Sequence, residues 1–561
     1  MFMRITGICA LACSFLLLQS GCGKSDTSAA AQRKINPAAP IAAIHWRGMD
    51  RIAQQTNGAG FLKIWRLAES EKLKSQTLDK LALAPWRAAA TNRLLPGTNL
   101  AALVRQNHSA ALVRPLLDDL VKSEFYLEIR EPKAGSPQIA LAVLLDPKRA
   151  AEWDSNLQAV FGTLAAARKT PAAPPSTGWQ IQSSATQLPP YLRHIEFTHA
   201  GAWTILGLSP DQNVVLSDVL ARVQRAQVPF ATAAGSDWIE AQVDLPRLSS
   251  AFSWDWDLPS QWPEISLDAV GSGDQLSTRA RLTFPTPLQI KLDAWDIPTN
   301  LIHEPIQGFT AVRGIKDWLA SLDWWKSAHP SETPNQVFAW SQSGSPFLVY
   351  AAAPLAHADK VMPSLGAQLM QSMNPMLASN RMGHWERSAN SDGVIWRAPI
   401  ITPFVQSIRV ANNSFLFGGL SPYLLTNGLS PSVTIAEVLK GTNTVYFDRE
   451  ITGPRVEAWM YIGQLSRVIL RRDQLSDNIA SVNWFRGMGA FLAPTYTLAV
   501  RTGPHTISLT RSSTVGLTAL ELHALGDWLE SPEFPWHPYS WVARLPALPV
   551  PKPPNGSKPS R

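Results

Sequence analysis

Gly207-Leu208-Ser209-Pro210 and Gly419-Leu420-Ser421-Pro422 are one four-residue string met twice in the chain, and the segments around both follow the same order. Read mechanically, a strand ends at the glycine, the serine accepts a backbone N–H as a helix cap, and the proline fits the first helical turn. Upstream, Gly135-Ser136-Pro137 recurs as Gly344-Ser345-Pro346, each opening an apolar β-like run, residues 139–145 and 347–353. An amphipathic helix follows in both places. Trp153, Leu157, Val160, Phe161 and Leu164 share one face of the first, and Val361, Leu365, Leu369, Met370 and Met373 one face of the second. Past the first string, Val215, Val219, Leu220 and Val223 supply another buried face. Ile239-Glu240-Ala241 with Leu245 and Leu248 parallels Val456-Glu457-Ala458 with Ile462 and Leu465. Val270 and Gly273 parallel Val500 and Gly503, and Arg47-Gly48 parallels Arg313-Gly314.

Short Gly/Ser/Pro strings are common, so the inference rests on their collinear order. The separation of the matched pairs grows smoothly along the chain, as loop insertions would make it; at the front it is larger, which assigns extra helical material to residues 61–90 of the first copy. The expected fold is α+β: two related units, residues 40–300 and 301–535, each an antiparallel sheet with helices packed on it. The alternative is one irregular α+β domain in which the strings coincide.

Composition narrows the class. Of 561 residues 45% are hydrophobic, enough for packed cores and too many for a disordered chain. Only 17% are charged, and 50 Lys and Arg against 43 Asp and Glu make no nucleic-acid footprint. All three cysteines, Cys9, Cys13 and Cys22, lie at one end. Arg4 precedes an apolar run over residues 5–18, too short to span a bilayer of ~30 Å. Ser20 and Gly21 then lead into Cys22.

This end resembles the lipobox of bacterial lipoproteins, in which the cysteine is lipidated and becomes the mature N-terminus. Gln19 stands where that pattern usually has an aliphatic residue, with Leu18 one place earlier. The resemblance implies a signal peptide over residues 1–21, lipidation of Cys22, and a membrane anchor that two or three acyl chains would hold firmly. Gly23, in place of Asp, points to the outer membrane by the family's sorting rule. Residues 22–39, rich in Ala, Ser, Thr and Pro, read as a tether, and the body would then carry no thiol chemistry. The competing expectation is a plain secreted protein cut nearby.

Motifs for chemistry are sparse. No Gly-x-Ser-x-Gly elbow, His-Glu-x-x-His helix, Walker loop, EF-hand loop or dinucleotide-binding turn occurs. His194 and His199 are an odd five apart on a strand, so they face opposite ways and share no metal ion; no metal or cofactor is expected. Asp255 and Asp257, interleaved with Trp254 and Trp256 and followed by Trp262 and Glu264, are the candidate acid–base carboxylates of a glycan- or wall-directed hydrolase. Trp324, Trp325, Trp536 and Trp541, with Tyr539, are the aromatics least easily buried and the candidates for ligand or partner contact. Residues 536–561 are proline-rich and basic, and read as a disordered tail facing an envelope protein or a wall polymer. The leading expectation is therefore a lipid-anchored, non-enzymatic binding or scaffolding module; the hydrolase is the alternative.

Overall fold

The computed structural model describes residues 39–91, 109–133, 136–165, 169–171, 178–183, 189–230, 237–253, 262–328, 330–379, 381–389, 391–398, 401–423, 441–469, 479–531 and 534–535. The fold is α+β and is organised around antiparallel strands. The N-terminal half supplies β1 (Ala42–Trp46), β2 (Phe125–Lys133), β3 (Ser136–Leu144), β4 (Lys169–Pro171), β5 (Gly178–Gln182), β6 (His194–Ala200), β7 (Trp203–Ser209), β8 (Ile239–Asp244), β9 (Glu264–Ser272) and β10 (Gln275–Thr283). The C-terminal half supplies β11 (Ile306–Arg313), β12 (Gln336–Gln342), β13 (Val349–Pro354), β14 (His384–Arg387), β15 (Val394–Arg397), β16 (Phe404–Val410), β17 (Asn413–Gly419), β18 (Thr444–Glu450), β19 (Thr495–Arg501) and β20 (Thr506–Ser513).

These strands do not form two sheets, as the sequence suggested, but one. β10 and β20 pair antiparallel, Leu276 opposite Ser513 and Thr283 opposite Thr506, and join the halves. Outward from that seam the first half runs β10-β9-β8-β1-β2-β3-β7-β6-β5-β4. The second runs β20-β19-β18-β11-β12-β13-β17-β16-β15-β14. Each strand of the first half therefore holds the same place as the strand numbered ten higher. Gly48 and Gly314 follow β1 and β11 with φ of 85° and 81°, a left-handed conformation that suits glycine. A Cβ at Gly48 would lie 2.5 Å from the carbonyl oxygen of Lys122, and one at Gly314 2.0 Å from Ile290 Cγ2.

Two local readings are corrected. Ile239 lies in a strand while Val456 lies in the Thr452–Ile469 helix, so that match was coincidental; the place of β8 is taken by β18. Ser209 does not cap the following helix: its hydroxyl donates to the Asp211 carbonyl, and Asn213 is the cap, accepting from the Leu216 N–H at 3.0 Å.

Alternation along the strands gives the sheet two apolar faces. On the first face the Pro147–Ala165 helix sets Trp153, Leu157 and Phe161 against Trp179, Ile195 and Phe197. The Ala358–Ser379 helix does the same with Val361, Leu365 and Leu369 against Trp385 and Trp396. On the second face the Val214–Ala226 helix covers Ala140, Ala142 and Ile205. There the C-terminal half instead carries an aromatic cluster of Phe309, Phe338, Trp340, Tyr350, Phe415, Phe417 and Phe447. On the first face, strand pairing lines up Leu206, Leu141, Leu127, Ile44, Ala241, Leu267, Ala280, Leu509, Ala499, Tyr446, Val312, Val337, Ala353 and Leu416 in one cross-strand row. Its central members, Leu127 to Leu509, are only half-buried.

Candidate functional site

The row's C-terminal end is the floor of a cavity of about 240 Å³. The room comes from residue size. Gly308, Ala339, Ala351, Ala353 and Gly418 line the floor of β11, β12, β13 and β17, where larger side chains would fill the space. The walls are Leu365 and Leu369 of the Ala358–Ser379 helix, Trp459 of the Thr452–Ile469 helix, and Leu520 of the Ala519–Glu530 helix. Two short helices, Lys316–Ser321 and Asp323–Ser327, bring Trp318, Trp324 and Trp325 to the rim.

One end of this apolar space is polar and enclosed. Asp448 and Glu450 are alternate residues of β18, so both carboxyls face the cavity. Thr310, directly opposite Asp448 in β11, donates to its Oδ1 at 2.6 Å. The Ala519 N–H, the first of its helix, donates to Glu450 Oε1 at 2.6 Å. The chain leaves β18 straight into the Thr452–Ile469 helix, whose first turn swings Arg455 back over the strand. Gly308 lies beneath it: a Cβ there would be in ordinary contact with Arg455 Nε at 3.4 Å and closer than usual to Ser341 Oγ at 3.2 Å. The guanidinium lies 5.3 Å from the Trp459 ring centre, a cation–π distance.

Among the described residues several of these buried atoms have no hydrogen-bond partner: Asp448 Oδ2, Arg455 Nε and Nη1, and Ser341 Oγ. Asp448 is 7% and Arg455 9% exposed, so water outside the cavity does not reach them freely. Buried polar groups are ordinarily satisfied, and each unmet one costs about 1–3 kcal/mol. Burial pushes the Asp448 carboxyl up to about 6, against the pull of the Thr310 hydroxyl. Burial and then the neighbouring Asp448 charge push Glu450 up to about 8. Burial also lowers Arg455 from its ordinary value. Behind them Arg511 donates to Glu521 at 2.6 Å and 3.1 Å; burial disfavours the Glu521 anion, and the Arg511 pair together with the Thr518 hydrogen bonds more than reverses this, holding that carboxyl below its usual range.

Of the sequence candidates, Trp324 and Trp325 belong to this cavity. They are not the exposed aromatics that the sequence suggested. Trp325 is buried, its indole N–H donating to Thr333 Oγ1 at 3.0 Å, and the two rings meet edge-on with centres 5.5 Å apart. Glu264 opens β9, on the sheet face opposite Ile265 and Leu267, and accepts from Gln242 of β8; it takes no part in the cavity. Cys22, Asp255, Asp257, Trp536, Tyr539 and Trp541 lie outside the described residues. His194 and His199 fall on opposite sides of β6, the first buried and the second exposed. Among the described residues no group of three or more His, Cys, Asp or Glu is placed to hold a metal ion, and no helix is long and apolar enough to cross a membrane.

Asp448, Glu450 and Arg455 were not singled out from sequence. The available signal was Thr444-Val445-Tyr446-Phe447-Asp448-Arg449-Glu450, an apolar strand start with carboxylates at alternate positions. That is the spacing sought at Asp255 and Asp257, placed on a strand that ends in the core. Comparison with protein-family models, curated proteins and solved structures finds no match to the chain.

Proposed function

We propose that this chain is a membrane-anchored envelope lipoprotein whose body is a non-enzymatic binding module, and that the module holds a small amphiphile in the cavity over β11, β12, β13 and β18. One observation carries this reading: an apolar space of about 240 Å³ ends on buried polar atoms of Asp448, Arg455 and Ser341 that no described residue satisfies. An apolar cavity with a few convergent polar groups is the usual form of a small-molecule site. The anchor rests on the Cys22 signal, and an envelope protein or a wall polymer remains the proposed partner of the tail. The matching strand order on either side of the β10–β20 seam supports an origin of the body in two related units, of which the second keeps the cavity.

The binding test is a titration with 1-N-phenylnaphthylamine, an uncharged apolar fluorophore. Saturable binding that quenches tryptophan emission is expected; a linear, unsaturable response overturns the reading. The anchor is tested separately by Cys22→Ser and membrane fractionation, where a variant that stays wholly membrane-bound after signal removal excludes lipidation at this residue.

A further inference from the structure

We infer that the occupant is an acyl chain carrying an uncharged, hydroxyl-bearing head, of the monoacylglycerol class, with the head seated between Asp448, Arg455 and Ser341. This rests on the cavity reading above and adds the chemistry of the head. Asp448 Oδ2 can only accept while ionised, so the ligand must offer it a donor. Arg455 Nε and Nη1 can only donate, so the ligand must also offer acceptors. Ser341 Oγ takes either role. A head with donor and acceptor oxygens within a few bonds of each other meets all three; a bare ammonium offers no acceptor, and a carboxylate no donor.

The charges point the same way. Those facing the polar end are Asp448 and Glu450 from β18, Arg455 from the Thr452–Ile469 helix, Arg511 from β20 and Glu521 from the Ala519–Glu530 helix. Among the cavity-lining residues β11 and β12 contribute no charged group, only neutral ones such as the hydroxyls of Thr310 and Ser341. Arg511 and Glu521 neutralise each other at 2.6 Å. Two carboxyls at alternate positions of one strand share the remaining counter-charge, Arg455, and near neutral pH Glu450 keeps its proton while Asp448 is largely ionised. The end is therefore balanced before a ligand enters. A charged head would be buried there without a counter-ion, whereas a neutral one satisfies the unmet atoms and adds no charge.

The test keeps the chain length fixed and varies the head. The full mature chain is titrated at pH 7 by calorimetry with 1-monolauroylglycerol, laurate and dodecylammonium, each below its aggregation concentration. The glycerol ester is expected to bind about tenfold or more tighter than either ion, because sites that hydrogen-bond a substrate hydroxyl reject analogues lacking it. Equal affinities would overturn the head-group inference and leave the cavity reading standing, since water would then be satisfying the polar atoms. Tighter binding of laurate or dodecylammonium would also overturn it. If none of the three binds, the cavity reading fails as well.

Discussion

Thr310 and Asp448 face each other across the β11–β18 pairing, and the threonine hydroxyl holds one carboxylate oxygen at 2.6 Å while the other has no partner among the described residues. Among the described residues that single bond is the only direct hydrogen bond the Asp448 carboxyl receives, so its removal should be felt. Thr310→Val keeps the shape and deletes the donor. It is expected to destabilise the empty protein by about 1–3 kcal/mol, the cost of leaving a buried polar group unmet. The urea midpoint reports this. An unchanged midpoint would show that solvent inside the cavity already satisfies Asp448.

The same burial gives stability a pH dependence whose sign follows from linkage. Asp448 rises from 3.8 to about 6 and Glu450 from 4.5 to about 8, so across that range the folded chain binds protons that the unfolded chain releases. Their contribution is complete below the unfolded values and is lost as pH rises through about 6 and then about 8. Glu450→Gln preserves an acceptor for the Ala519 N–H and removes the titration. The wild type should therefore lose stability relative to this variant between pH 5 and 8, on the order of a few kcal/mol at about 1.4 kcal/mol per pKa unit. His523 works in the opposite sense, since burial lowers it, but it is common to both proteins and cancels in the difference. Parallel thermal denaturation curves at pH 5, 6.5 and 8 check the claim, and a pH-independent gap would refute it.

Much of the fold was legible where a period could be read. The stripe of Trp153, Leu157 and Phe161, and that of Val361, Leu365 and Leu369, mark helices whose buried faces the structure confirms residue by residue. The Gly-Leu-Ser-Pro strings do fall at strand ends, though only β17 stops at its glycine, Gly419, while β7 runs past Gly207 to Ser209. What failed were features without a period. Three residues such as Val456-Glu457-Ala458 suit a strand or a helix equally, and tertiary packing decided for the helix. The β10–β20 seam joins segments over two hundred residues apart and is set by cross-strand contacts that no local pattern encodes. The site was missed for a related reason. Carboxylates were sought beside the clustered tryptophans of residues 254–257, whereas the buried pair Asp448 and Glu450 sits in a strand whose aromatic neighbours already explain its burial.

Arg313 shows how a matched string can be structural. It ends β11 almost fully buried, 3% exposed, and donates to the carbonyl oxygens of Asp293, Gly441, Thr442 and Thr444 while stacking on Trp295 at 4.5 Å. It thus ties the 284–305 connector to the start of β18, the strand that carries Asp448 and Glu450. Arg313→Met should cost about 3–5 kcal/mol, as removing one partner of a buried charged network commonly does. Calorimetric or urea unfolding measures it. A loss under 1 kcal/mol would mean that the four carbonyls find other donors and that the arginine is not what fixes the connector.

A binding cavity and a packing fault respond differently to a larger side chain on the floor. Ala351 sits mid-floor in β13, half-buried and lining the cavity, and its neighbour across the pairing is Ala339. If the space were merely under-packed, Ala351→Leu would fill it and stabilise the chain, since lining atoms regain lost contacts. If the space is kept for an occupant, the same change should also abolish occupancy. We therefore expect Ala351→Leu to melt no lower than the wild type, by about 0–2 °C or higher, for a gain of a few tenths of a kcal/mol. Saturable 1-N-phenylnaphthylamine binding should meanwhile weaken by about tenfold or more, the equivalent of about 1.4 kcal/mol. Retained binding in a folded Ala351→Leu protein would place the fluorophore elsewhere and remove the cavity from the argument. A folded variant that gains stability and loses binding would show that this floor is built of small residues because something other than protein fills the space above it.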